Sequence, residues 1–86
     1  MDIGKFLEEV SALPGVPGHE AAVGARIAEW FRPLADEIFT DALENLYARV
    51  GQTGPRVLVC AHQDEIGLIV TKIEDDGCLR VFKNGG

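Results

Sequence analysis

The residues with the clearest capacity for chemistry interrupt an apolar stretch, VLVCAHQDEIGLIV, at residues 57–70. Packing gives no reason for four polar residues, His62 to Glu65, between two apolar runs. If the chain is extended there, His62 and Asp64 share one face of a strand and Gln63 points to the other. Neutral imidazole is a good zinc ligand, and a carboxylate that accepts its second ring N–H fixes the tautomer. The spacing therefore suggests a metal-binding His62 oriented by Asp64.

A structural role is the alternative for this short motif, because a polar strand end with a salt-bridged Asp64 would show the same residues. Other polar and aromatic positions favour structural roles as well. His19 precedes Glu20 in the first turn of a predicted helix, which favours a solvated or capping role. Trp30 lies on an amphipathic helix and is expected to have a packing role. The acidic run 74–76 is interpreted as a solvated hairpin turn, since the loop spacing of an EF-hand is missing.

Two helices are predicted ahead of the motif. Apolar residues at helical spacing predict the first helix over 2–13, with Asp2 as the N-cap and Pro14-Gly15 as the stop signal. A loop rich in Gly and Pro follows. The second helix is predicted over 19–34, where Gly24 costs some stability and allows close packing against a neighbour.

Strands are predicted for the rest of the chain, because the apolar period changes after Leu34. Their ranges are 36–42, 46–50, 56–61, 66–73 and 78–83. The third is apolar on both faces, which is typical of an interior strand covered by helices on both sides. Two helices give such a strand too little cover. Because the sequence starts with Met and stops in a turn, we expect the N-terminal piece of a larger α/β protein.

Composition and charge exclude several classes of function. The net charge is −6, with 47% hydrophobic and 26% charged residues, which is typical of a soluble globular protein. Lys and Arg are too few and too scattered for nucleic-acid binding. No apolar run reaches the ~20 residues of a membrane span, and the N-terminus lacks the features of a signal peptide. We expect a cytoplasmic protein without membrane contact, in which Cys60 and Cys78 are free.

Four short motifs stand in order along the chain. They are LPGVPGHE at 13–20, TDALEN at 40–45, AHQDEIG at 61–67 and NGG at 84–86. Together they resemble motifs of the glutamyl aminopeptidase family of dinuclear metallopeptidases. This family includes the tetrahedral and deblocking aminopeptidases and proteins labelled cellulase M or endoglucanase. The sequence departs from the family pattern at Pro17 (usually Ser), Glu44 (Gly), Gln63 (often Met) and Lys83-Asn84 (a more apolar pair).

This resemblance implies a metalloaminopeptidase that removes N-terminal residues from peptides with two divalent metal ions, zinc or cobalt, and an activated water. Carried onto this chain, His62 is a metal ligand and Asp64 is the catalytic-site residue that orients it. Glu65 belongs to the family signature, whereas the general-base glutamate and the remaining ligands lie beyond Gly86. These 86 residues alone are therefore expected to be inactive.

The resemblance also implies a division of the chain. Residues 1–66 would be the N-terminal part of a mixed-sheet α/β catalytic domain, and residues 67–86 would open an inserted β-barrel domain. Through that domain, family members form homo-oligomers from dimers to dodecamers. Two other functions stay open: a small α+β binding or interaction module with a structural His62, and a related metal-dependent deacylase. The module would fold cooperatively as a monomer and ignore metals.

Overall fold

A computed structural model describes all 86 residues, and it begins with two helices. Helix α1 spans Ile3–Ser11 and helix α2 spans Ala21–Phe31. Four strands follow in two separate antiparallel pairs. They are β1 (Glu37–Thr40), β2 (Leu46–Arg49), β3 (Gly67–Ile73) and β4 (Leu79–Asn84). The predicted class, two helices followed by strands in a mixed α/β arrangement, is confirmed.

The first helix has the cap and the apolar contacts that its sequence predicts. Asp2 lies outside the helix in an extended conformation, and its carboxylate accepts a hydrogen bond from the Lys5 N–H at 3.1 Å. Phe6 meets two aromatic rings of α2, edge-on to Trp30 at 5.8 Å and stacked on Phe31 at 6.0 Å between ring centroids. The packing role predicted for Trp30 is confirmed.

A charged cluster joins α1 to α2 beside these rings. The Glu9 carboxylate accepts hydrogen bonds from Trp30 Nε1 and from Arg26 Nε, each at 2.9 Å. The Trp30 bond and then the Arg26 bond favour the charged carboxylate, so they lower the pKa of Glu9 below its ordinary value. Arg26 also pairs with Glu29 and lies over the Trp30 ring. The sequence did not predict this cluster, because Glu9 and Arg26 lie on different helices.

Helix α2 is shorter than the predicted range of 19–34. It begins at Ala21 and ends at Phe31, since Pro33 has no N–H to continue the helical hydrogen bonds. Leu34, the last residue of the predicted range, lies beyond the helix and is 55% exposed. Neither α1 nor α2 has the length and apolarity needed to cross a membrane.

The four strands form two hairpins, and the second is the one predicted around residues 74–76. Strands β1 and β2 pair from Glu37↔Arg49 to Thr40↔Leu46, and β3 and β4 pair from Gly67↔Asn84 to Ile73↔Leu79. The second hairpin turns through residues 74–77, where Gly77 has a φ of 88° that suits glycine. In the same turn the Asp76 carboxylate accepts a hydrogen bond from the Cys78 N–H at 2.9 Å, which lowers the pKa of Asp76. The acidic run is therefore a hairpin turn, as predicted.

The prediction of an interior strand at 56–61 is wrong for this structure. Residues 50–66 form neither helix nor strand, and the aliphatic side chains of residues 57–59 are between 77% and 89% exposed. Each hairpin pairs only with itself, so no strand lies beside this segment to accept its backbone hydrogen bonds. Cys60 and Cys78 are free, as predicted. Cys60 is nevertheless exposed rather than buried, for the same reason.

Little of the chain is buried. Val23 of α2, at 5% exposure, is the buried hydrophobic side chain, and Gly15 is buried next to it. The radius of gyration is 16.9 Å, whereas a compact domain of this length has about 12 Å. The contact between α2 and the loop at residues 14–18 is therefore the centre of what packing exists.

Candidate functional site

The His62–Asp64 pair is formed in the structure, although no strand carries it. His62 Nδ1 lies 3.2 Å from Asp64 Oδ1 and 3.0 Å from the Asp64 backbone oxygen. Both of these oxygens are acceptors, so the contact assigns the ring proton to Nδ1 and leaves the lone pair on Nε2. The His62 side chain is 84% exposed. Its Nε2 is therefore open to a ligand.

This geometry fits a metal-binding histidine with its orienting group. A ligand histidine usually donates its other ring N–H to a carboxylate or a backbone carbonyl, and Asp64 offers both. A complete zinc site needs at least three protein ligands. No group of three His, Cys, Asp or Glu side chains among these residues could hold a metal ion. The chain thus supplies one oriented imidazole rather than a whole site.

The other two polar residues of the motif have different surroundings. The Gln63 amide lies beside Gly24 of α2, where the Cβ of an alanine would be 3.5 Å from Gln63 Oε1. That distance leaves room for a methyl group, so the close packing expected of Gly24 is not present. The Glu65 side chain is exposed, and the Glu65 N–H donates a hydrogen bond to the Gly15 carbonyl at 2.7 Å.

Three of the four sequence motifs meet around the 14–18 loop. The Glu65 N–H reaches this loop at Gly15, and Asn84 Nδ2 donates to the Pro17 carbonyl at 3.0 Å, across a sequence separation of 67 residues. The motifs are far apart in the sequence, and nothing in their residues predicted this contact. Two of the positions that depart from the family pattern, Pro17 and Asn84, are hydrogen-bonded to each other.

The fourth motif is a turn organised by hydrogen bonds to Asp41. Its carboxylate accepts hydrogen bonds from the backbone N–H groups of Leu43 and Asn45 at 2.9 Å, from Asn45 Nδ2 at 2.8 Å and from the Tyr47 hydroxyl at 3.1 Å. These donors, led by the Asn45 side chain, lower the pKa of Asp41. The same pairing raises the pKa of Tyr47, because the nearby carboxylate opposes loss of the phenolic proton.

Glu44 closes this turn in a conformation that favours glycine. Its φ is 65°, and it is the one residue other than glycine with a positive φ in the chain. For a residue with a Cβ, the left-handed region costs roughly 1–2 kcal/mol. The family pattern places Gly here, and the structure gives the physical reason for that preference.

The Asp41 turn and the His-x-Asp segment line one groove. The groove has a volume of about 1070 Å³, and most of its lining side chains are hydrophobic. Asn45, His62 and Asp64 lie in its wall, together with apolar residues of α1 and α2. The candidate site thus stands at the edge of an open apolar surface.

Comparison with known proteins finds relatives that are named aminopeptidases. A family model described as M42 glutamyl aminopeptidase matches residues 44–86. The lysyl aminopeptidase of Pyrococcus furiosus is 38% identical over 95% of this chain and 24% of its own length. The glutamyl aminopeptidase of Lactococcus lactis is 46% identical over 95% of this chain and 23% of its own length.

A solved structure shows the same likeness. A Thermotoga maritima protein described as an endoglucanase superposes with a TM-score of 0.82 and 41% sequence identity, covering 93% of this chain and 26% of its own. The chain spans about a quarter of the length of the curated relatives it matches.

Proposed function

Because the chain belongs to the M42 glutamyl aminopeptidase family, we propose that it is part of a metal-dependent enzyme that removes N-terminal residues from peptides. One observation carries the metal dependence: Asp64 binds Nδ1 of His62 and leaves Nε2 exposed. By the whole enzyme we mean a full-length member of the family that contains these 86 residues.

In the whole enzyme, His62 would bind a divalent metal ion through Nε2. A pair of such ions, zinc or cobalt, supplies polarisation of the scissile carbonyl and activation of the attacking water. The Asp64 carboxylate keeps the His62 proton on Nδ1 and holds the ring in one orientation, so Nε2 stays available to the ion. The other ligands and the general base come from residues outside this chain, so the 86 residues by themselves have no peptidase activity.

The proposal also assigns the chain to two domains. Residues 1–66 belong to the catalytic domain, and residues 67–86 open an inserted β-domain. In support, β3 and β4 pair only with each other and form a sheet separate from β1 and β2. The β3–β4 hairpin also exposes large apolar side chains, as a surface used in homo-oligomers would. We place the enzyme in the cytoplasm, where exposed thiols stay reduced.

The test is His62→Ala in the whole enzyme, with His19→Ala as the matched control because His19 is the other histidine and is exposed. The substrates are lysyl, glutamyl and leucyl anilides, together with one N-acetylated anilide. We expect the wild type to cleave at least one free aminoacyl anilide, to lose activity to a chelator and to regain it with zinc or cobalt. His62→Ala should lose metal and activity, because an incomplete ligand set does not retain the ion.

A His62→Ala variant with full metal content and the parent rate would contradict the assignment. His19→Ala should keep both properties. Release of acetate from the N-acetylated anilide, without cleavage of any free aminoacyl anilide, would instead identify a deacylase.

Asp64→Asn tests the orienting role separately from ligation. The amide has nearly the shape of the carboxylate without its charge, so the metal dissociation constant should rise by about 10- to 100-fold. Asp75→Asn makes the same chemical change in the exposed hairpin turn and should leave the dissociation constant unchanged. Equal metal affinities for Asp64→Asn and the wild type would show that Asp64 does not support the ligand.

A further inference from the structure

The backbone of the motif segment has a single hydrogen-bonded attachment. Residues 52–66 form no helix or strand, and one backbone–backbone hydrogen bond ties them to the rest of the chain. It runs from the Glu65 N–H to the Gly15 carbonyl at 2.7 Å. The donor directly follows Asp64 and stands three positions after His62. This hydrogen bond therefore ties the backbone next to the pair to Gly15.

Side chains of the same loop contact the residues just after the motif. Gly67 lies so close to Val16 that a Cβ at position 67 would overlap Val16 Cγ1. The φ of Gly67 is not positive, so close approach, and not backbone conformation, requires glycine there. Pro17 accepts the hydrogen bond of Asn84, which is the strand partner of Gly67. The loop therefore contacts both members of the first residue pair of the hairpin.

The loop is in turn fixed to α2. A Cβ added to Gly15 would lie 2.7 Å from Val23 Cγ2 and 3.7 Å from the Gln63 carbonyl oxygen. Val23 is the buried hydrophobic residue of the chain, so this contact lies where the structure is best packed. Contacts therefore run without interruption from α2 through the loop to the motif.

We infer that the loop at residues 14–18 is a positioning element that sets where His62 and Asp64 stand relative to α2 and the β3–β4 hairpin. The inference rests on the proposed metal-binding function. Ligand atoms must stand within about 0.2 Å of their coordination distances, so a small displacement of the motif is enough to weaken a site. Gly15 and Val16 are positioning residues here, since they contact Glu65 and Gly67, the neighbours of the pair.

Gly67→Ala in the whole enzyme tests this role, because the new methyl forces Val16 and the motif apart. We expect the zinc dissociation constant to rise by about 10- to 100-fold, the range typical of lost support for a metal ligand. The visible absorption spectrum of the cobalt-loaded protein should change too, and the unfolding midpoint of the metal-free protein reports separately on folding. Gly24→Ala is the matched control, because its methyl also faces the motif but has room.

The double variant Val16→Ala/Gly67→Ala supplies the rescue. It removes Val16 Cγ1 and leaves Val16 Cβ, 3.3 Å from the added methyl, so zinc affinity and the cobalt spectrum should return toward wild type. If Gly67→Ala does not fold, recovery of both folding and affinity in the double variant still supports the role. A folded Gly67→Ala with wild-type affinity and spectrum overturns the inference, as does a double variant without recovery. A wild-type enzyme that binds no metal overturns the proposed function first, and the inference with it.

Discussion

The helical region at residues 1–35 and the segment at residues 50–66 are stabilised in different ways. In the first, Phe6 packs on two aromatic rings, and the Glu9 carboxylate joins both helices through Arg26 and Trp30. In the second, one backbone hydrogen bond ties residues 52–66 to the rest of the chain, and three consecutive aliphatic side chains are open to solvent. The candidate site lies in the second region. Its geometry therefore depends on contacts from distant parts of the sequence.

The two regions differ in how far along the sequence the residues that determine their structure lie. The helices and hairpins leave signals in their own sequence, such as apolar spacing, caps and turn residues. The motif segment needs the 14–18 loop on one side, and its aliphatic side chains have no partner among these residues. We expect the whole enzyme to cover those side chains. Three predictions test the difference between locally determined elements and this segment.

The largest expected effect is the loss of cooperative folding in the isolated 86 residues. Each large aliphatic side chain left in water forfeits about 1.5–3 kcal/mol of burial, and whole-domain stability is only ~5–15 kcal/mol. The isolated chain should therefore show no sharp, reversible unfolding transition as a monomer, with or without zinc. Thermal melting and sedimentation check this, with the whole enzyme as the control. A monomer with a steep transition that ignores zinc would favour the small-module alternative.

A smaller effect is expected when one valine from each region is truncated in the whole enzyme. Val23→Ala removes buried methyl groups and should cost about 2 kcal/mol of unfolding free energy. Val59→Ala should cost a similar amount, because the rest of the enzyme is expected to cover that side chain. Val50→Ala, another exposed valine outside the 57–59 run, serves as the control. A neutral Val59→Ala in chemical denaturation would show that the segment stays at the surface.

The smallest effect concerns the locally determined hairpin. Glu44→Gly should raise the unfolding free energy by about 1 kcal/mol, because it relieves the positive φ at some cost in chain entropy. Glu44→Ala removes the same carboxylate but keeps a Cβ, so it should bring no gain. Denaturant unfolding of both variants and of the parent enzyme measures these differences in unfolding free energy. Equal stabilities for glycine and alanine would mean that the turn carries no strain at this position.

Much of the fold could be predicted because its causes are local. Asp2 caps α1, apolar spacing marks both helices, and turn residues mark both hairpins. The predicted end of α2 is three residues too late, although Pro33 gives the physical reason for the early stop. For the site, the His-x-Asp spacing was enough to predict the pairing of His62 with Asp64, because only three residues are involved.

The rest could not be predicted, since its causes lie far apart in the sequence. An apolar run such as 56–61 becomes a strand only when another strand offers hydrogen bonds, and no sequence period shows whether one does. The bond between Glu65 and Gly15 leaves no periodic signal, because it uses only backbone atoms. The glycines were the remaining clue. The structure explains Gly67, whose φ is not positive and whose missing Cβ leaves room for Val16.

The most direct test of metal binding by His62 is a crystal structure of the whole enzyme with bound zinc. We expect His62 Nε2 at the length of a zinc–nitrogen bond, about 2.0–2.1 Å, with Nδ1 still donating to Asp64. Zinc that is bound without His62, or bound through Nδ1 with Asp64 displaced, would contradict that role.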